Sequence, residues 1–217
     1  MNAIQREAVG RLREHLAPLF ASENSGHDFM HLLRVEKMAM HLAFPNGADP
    51  FICSLAALLH EHDDNKLTHI TGGKDEAVRL LMITVENENI RNHVLEIISS
   101  LSYKGASVET PMKTIEGMCV QDADRLDAMG AVGIARTFCF CGARNQPIHD
   151  PGISPVNHKD EDDYHKAKGT GINHFYEKLL IIKDRMNTEE AKRIANIRHN
   201  FMEEYLDRFL KECEGIQ

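Results

Sequence analysis

No apolar run in this 217-residue sequence approaches the roughly 20 residues needed to span a bilayer. The opening MNAIQREAVGRLREHL is interrupted by charges and lacks the continuous apolar core of a secretory signal. Both absences lead to the expectation of a cytoplasmic protein with no membrane partner. Positive charge is in deficit as well: 25 Lys and Arg stand against 33 Asp and Glu, for a formal net charge of −8. A surface that captures DNA, RNA or anionic lipid needs clustered Lys and Arg, so no nucleic-acid polymer is expected as a partner. A local basic pocket for a small anion is still allowed. The five cysteines, Cys53, Cys119, Cys139, Cys141 and Cys213, are odd in number and include no CxxC pair. That argues against a disulfide framework and a Cys-rich zinc knuckle, and leaves buried free thiols as the expectation. No Ser/Gly-rich or Pro-rich linker divides the chain, so a single domain over residues 1–217 is expected.

What is present is helical periodicity. With 42% hydrophobic residues the chain can bury one substantial core. Apolar residues recur at steps of three and four, as in Leu12, Leu16 and Leu19, then Leu32, Val35, Ala39 and Leu42. Clean alternation never lasts beyond a few residues, so the fold class reads as all-α. The pattern predicts helices over residues 3–20, 27–44, 50–61, 73–86, 88–102, 115–128, 129–138, 170–185 and 189–213. Pro45 with Gly47 should end the second helix, Asp49 should cap the third with Pro50 at its first position, and Thr188 suits a helix start. From Gly142 to Gly171 the period is lost, with three prolines and four glycines among many charges. This reads as a long loop, of the kind that forms a lid, a binding loop or a disordered segment.

Three segments concentrate polar chemistry: GHDFMHLLRV at 26–35, LLHEHDDNK at 58–66 and QDADRLDAMG at 121–130. His27 and His31 lie four apart on one helix face. Taken alone, such a pair is more often structural than functional. His60 ends the apolar face of Leu55, Ala56 and Leu59, with Glu61, Asp63 and Asp64 following at once. Acids at a helix C-terminus oppose the helix dipole, so a cation that offsets the cost is a reasonable inference, although tolerated acidic ends are common. Asp124 and Asp127 share a face in the company of Ala123, Leu126 and Met129, where a carboxylate needs a partner, either an arginine or a metal ion. Imidazole nitrogens and carboxylate oxygens from three helices suit Mn²⁺, Fe²⁺, Zn²⁺ or Mg²⁺ better than Ca²⁺. Such an ion can supply hydroxide near neutral pH, which is hydrolase chemistry.

The order of these residues resembles the HD-domain metal-dependent phosphohydrolases, in the bacterial and fungal branch carrying HDxxHxxRV, AALLHDxxDxK, QDADRLDAxGAxGIARTF and INHFYEKLL. Here those segments read HDFMHLLRV, AALLHEHDDNK, QDADRLDAMGAVGIARTF and INHFYEKLL, and the likeness extends from about residue 10 to 212. The resemblance implies a compact multi-helix bundle that hydrolyses a phosphoester or phosphoanhydride bond, most plausibly in a nucleotide. It implies His31, His60 and Asp124 as ligands of one divalent ion, drawn from Mn, Fe, Co, Ni, Zn and Mg. Asp124 is preferred to Asp122 because the ADRL core matches the family's last aspartate. Asp64 would orient or deprotonate water. Lys66, Arg34 and Arg125 would hold phosphate oxygens, or else form salt bridges within an acidic site. His27 and Asp28 would support a ligand rather than bind the ion. His174 would be structural or close to the pocket.

One departure matters. Where the family has Asp after the second histidine, this chain has Glu61, one methylene longer. Glu61 is expected as the fourth ligand, by another rotamer or a slight withdrawal of its helix, with His62 and Asp63 as less favourable substitutes. The alternative is a non-catalytic metal- or nucleotide-binding sensor with a degenerate His-Glu site. Dimerisation is left open.

Overall fold

A computed structural model of the chain describes residues 1–63 (Asp63 by its backbone alone), 67–101, 110–156 and 169–216. Among the described residues all regular structure is helical and there is no strand. They fall into two compact units: residues 1–23, 27–101 and 110–124 form the first, and 24–26, 125–156 and 169–216 the second.

The first unit is built around a helix that is apolar on every side. α1 (Ala3–Leu19), α2 (Phe29–Asn46) and α3 (Pro50–Leu59) are followed by a 3₁₀ turn at His60–Asp63, then α4 (Thr68–Thr71), α5 (Gly73–Thr84), α6 (Glu88–Ile98) and most of α7 (Ile115–Asp127). In α3 every residue from Phe51 to Leu59 is buried, as expected of a helix with no polar stripe. α2 packs against it most extensively, with α1 and α6 also in contact. Buried Glu36 of α2 is neutralised by Arg13 of α1 through two hydrogen bonds of 2.8 and 2.9 Å, and it also accepts from the Ser54 hydroxyl of α3. Helix starts follow local chemistry. Asn2 and Gln5 form a capping box on α1, Asp28 accepts from the His31 N–H, and Asp49 accepts from the Phe51 N–H with Pro50 beginning the helix.

The second unit contains α8 (Gly130–Ala143), α9 (Gly171–His174), a π turn at Phe175–Leu179, a 3₁₀ turn at Ile182–Arg185 and α10 (Glu189–Cys213). Phe138, Phe175, Tyr205 and Phe209 form its aromatic cluster, with ring centroids 5.9–6.4 Å apart. Thr188 caps α10 by accepting from the Ala191 N–H.

Several expected boundaries move. α2 continues through Pro45 to Asn46, because a proline in the last turn forfeits only one backbone bond, and Gly47 closes the helix in the left-handed conformation at φ 68°. α8 runs on to Ala143 rather than stopping at 138. The single helix expected over 170–185 is three short pieces. Its buried Ile172, Phe175, Leu179, Ile182 and Met186 keep a helical spacing, so the side-chain pattern does not reveal that the Leu180 N–H bonds the Phe175 carbonyl, five residues back. In the segment expected as a lid or disordered loop, residues 144–156 are tied down. The Gly171 and Ile172 N–H groups donate to the Pro147 and Ile148 carbonyls, Asn173 donates to the Ile153 carbonyl, and Glu177 accepts from the Val156 N–H. The rest of that loop, 157–168, lies outside the described residues. Of the cysteines expected to be buried, Cys139 and Cys213 are exposed.

Candidate metal centre

α3 carries its apolar run to Leu59, where the backbone tightens into the 3₁₀ turn and presents His60 and Glu61 in succession. The His60 Nδ1–H donates to the Ala57 carbonyl at 2.7 Å, which fixes the tautomer and leaves a lone pair on Nε2. His31, the third residue after its Asp28 cap, brings its own Nε2 to 3.2 Å from His60 Nε2. From α7, Asp124 places Oδ1 at 3.7 Å from His31 Nε2 and 3.6 Å from His60 Nε2. Glu61 Oε1 lies 3.1 Å from His31 Nε2 and 3.6 Å from His60 Nε2.

The structure therefore brings together His31, His60, Glu61 and Asp124, all from the first unit. The extra methylene of Glu61 does not carry its carboxylate away from the histidines. His31, His60 and Glu61 are almost wholly buried, while the Asp124 side chain is 37% exposed and leaves the group open to solvent on one side. His31, His60 and Asp124 could hold a metal ion. Four atoms rich in lone pairs within this space repel one another unless a proton or a cation lies among them. Ligands held about 2.0–2.3 Å from one ion stand roughly 3–4 Å apart, the spacing found here. The donor set thus fits a divalent ion of the His-and-carboxylate type.

Electrostatics agree with that crowding. Burial pushes the Glu61 carboxyl up, but His27, His60 and a hydrogen bond from His31 outweigh it and hold the group well below the usual carboxylate range. His27 meets the His31 ring edge-on, with centroids 5.7 Å apart. Its influence on Glu61 was not legible in a motif that placed it only four residues from His31.

The other expected site residues fall in different places. Asp64 and Lys66 lie outside the described residues. Arg34 is half-buried one turn beyond His31 on α2. Arg125, in the second unit, donates to the Arg185 carbonyl. Asp122 is fully buried, whereas Asp124 is the aspartate beside the histidines. Asp127, on the same face as Asp124, belongs to the second unit and pairs with Arg136 at 3.0 Å. His62 is not among the residues whose donor atoms converge at the centre; its Nδ1–H donates to the Leu59 carbonyl, and burial, the largest influence on it, pushes its pKa down to about 4. His174 is half-buried at the end of α9 in the second unit.

Comparison with known proteins places this geometry in context. The HD domain family matches residues 28–129. YpgQ of Bacillus subtilis is 37% identical over 210 residues, covering 95% of this chain and 94% of YpgQ. A crystal structure of YpgQ in complex with ADP superposes with a TM-score of 0.77 over 96% of this chain and 100% of that one, at 34% identity. A Lactobacillus plantarum protein of known structure gives a TM-score of 0.85 at 33% identity, covering 99% of both chains. An HD-superfamily hydrolase from Bacillus thuringiensis gives 0.71 at 39% identity, covering 97% of this chain and 98% of its own. No single helix among the described residues is long and apolar enough to cross a membrane.

Proposed function

The chain belongs to the HD-domain family, and from that premise we propose that it hydrolyses a phosphoester or phosphoanhydride bond of a nucleotide in a metal-dependent reaction. The observation that carries this reading is the convergence of two imidazole Nε2 atoms with the Glu61 and Asp124 carboxylates within 3.1–3.7 Å of the histidines. The ADP bound to YpgQ supports a nucleotide as the phosphorylated substrate.

His31, His60, Glu61 and Asp124 would hold the ion. A divalent ion supplies Lewis acidity there, neutralising phosphate charge and acidifying water. The protein's own residues do the rest. Ala57 keeps the His60 proton on Nδ1, so that Nε2 stays basic. Glu61 stays ionised through the pH range of the cell, because its carboxyl is held below the ordinary range. In this proposal Asp64 orients and deprotonates the attacking water. Lys66 and Arg34 bind the phosphate oxygens that the ion leaves uncovered.

Glu61 motivates the second reading, a sensor that binds metal and nucleotide without efficient cleavage. One experiment separates the two. Purified chain supplied in turn with Mn²⁺, Fe²⁺, Co²⁺, Ni²⁺, Zn²⁺ or Mg²⁺ is assayed against nucleoside mono-, di- and triphosphates, with phosphate and pyrophosphate release followed separately. The hydrolase reading expects turnover that disappears in His60→Ala and does not rise in Glu61→Asp. Turnover seen only in Glu61→Asp supports the sensor.

A further inference from the structure

The DAMGAVGIARTF stretch holds a buried polar arrangement that the proposed metal set leaves unused. Arg136, on α8, splits its guanidinium between two targets. Nη1 lies 3.0 Å from Asp127 Oδ2, and Nε donates to the Gly26 carbonyl at 2.7 Å. The Arg136 and Asp127 side chains are only 14% and 7% exposed. All three residues belong to the second unit. Each also lies at a defined distance along the chain from a candidate ligand. Asp127 follows Asp124 by three residues on α7. Gly26 precedes His27 and Asp28, the latter capping α2 and accepting the His31 N–H at 2.8 Å.

Gly26 is suited to its place for two reasons. It adopts φ +93°, where a side chain is strained, and a Cβ there would stand 3.2–3.3 Å from the Arg136 Cα, Cβ and Cγ. The turn is therefore held close against Arg136 as well as hydrogen-bonded to it. A charge-assisted bond from a guanidinium already locked by a buried carboxylate has little rotational freedom.

We propose that Arg136 is a positioning residue for the metal centre: bridged to Asp127, it fixes the Gly26 carbonyl and so sets the start of α2 from which His31 is presented. The inference rests on the proposed metal-dependent reading. Groups that only orient ligands typically change metal affinity 10–100-fold when lost, and this arrangement acts through the backbone at the foot of a ligand helix.

The test measures Mn²⁺ affinity of the full chain from the electron paramagnetic resonance signal of free Mn²⁺, alongside the thermal midpoint of each metal-free protein. Wild type is compared with His60→Ala, Arg136→Gln, Arg136→Lys, Asp127→Asn and Gly26→Ala. Arg136→Gln and Asp127→Asn are expected to weaken Mn²⁺ binding about tenfold or more. Gly26→Ala should weaken it in the same direction with the ion pair retained, and Arg136→Lys should fall between wild type and Arg136→Gln. Folded variants with lowered midpoints but wild-type Mn²⁺ affinity would assign the arrangement to stability alone and overturn the inference. Mn²⁺ binding that is absent from wild type, or unchanged in His60→Ala, would instead overturn the metal reading and the inference with it. Asp127→Asn is nearly isosteric and Gly26→Ala leaves both charges in place, so the test does not depend on Arg136→Gln folding.

Discussion

Glu61 decides how this site departs from the family motif. Its Oε1 stands 3.1 Å from His31 Nε2 with the carboxyl held below its ordinary range, so the longer side chain is accommodated without being turned away. Shortening it should then withdraw the carboxylate. Glu61→Asp is expected to weaken Mn²⁺ binding and to lower turnover by between about tenfold and 100-fold, the scale set by displacing a reactive-site group by about 1 Å. His60→Ala removes a ligand outright and should weaken Mn²⁺ by more than the 10–100-fold typical of a supporting bond. Isothermal titration with Mn²⁺ measures both, and an Asp variant that binds more tightly would contradict the geometry. At this scale the sequence was informative about residue type and uninformative about direction. His31, His60 and Asp124 stand out through the family motifs they match, whereas apolar neighbours alone say only that Asp124 and Asp127 need partners. The pairing of Asp127 with Arg136 and of Arg125 with the Arg185 carbonyl depends on which way each side chain leaves its helix.

Among the elements, α3 positions the centre most directly, because its end delivers His60 and Glu61. Leu55, one turn and a half before His60, is fully buried and belongs to the part of the helix enclosed on all sides. Leu55→Ala should cost about 2–5 kcal/mol through lost burial and the cavity left behind. The loss is read as a lower urea midpoint with an unchanged slope. An exposed position on the same unit, such as Met82→Ala on α5, 66% exposed, should move the midpoint little. Helix starts were legible because Asp49 with Pro50 and Thr188 carry their own capping chemistry. The breaks at Leu59 and His174 were not, since both continue an apolar spacing that fits α, 3₁₀ and π turns alike. The same limit hid α4, four residues long and too short to show a period.

At the scale of the molecule, two measurements examine the fold and the centre, thiol access and metal linkage. Five thiols differ in access: Cys139 and Cys213 are exposed, while Cys53, Cys119 and Cys141 are buried. The Cys119 side chain and burial push the Cys53 thiol far up, and burial pushes Cys141 up, so neither forms a ready thiolate. Native protein treated with an aromatic disulfide reagent at pH 8 should therefore release two equivalents quickly, and the remaining three only on unfolding. Composition favours burial of every free cysteine, and it is the exposed faces of α8 and α10 that make two of them exceptions.

Metal linkage is the more searching of the two measurements. An ion that binds the folded chain and not the unfolded one stabilises it by RT ln(1 + [M]/Kd), about 2.7 kcal/mol when the ion is at 100 times its Kd. For a chain of this length that corresponds to a rise in midpoint of about 5–10 °C. Adding Mn²⁺ to chelator-treated protein should produce a shift of that size, rising with the logarithm of Mn²⁺ concentration. His31 and His60 come from α2 and from the end of α3, and Asp124 from α7, so unfolding scatters the donors and the linkage must be large if they share an ion. His60→Ala supplies the control. Mn²⁺ should no longer raise its midpoint above that of its own metal-free form. Equal shifts in the two proteins would place the bound ion elsewhere on the chain.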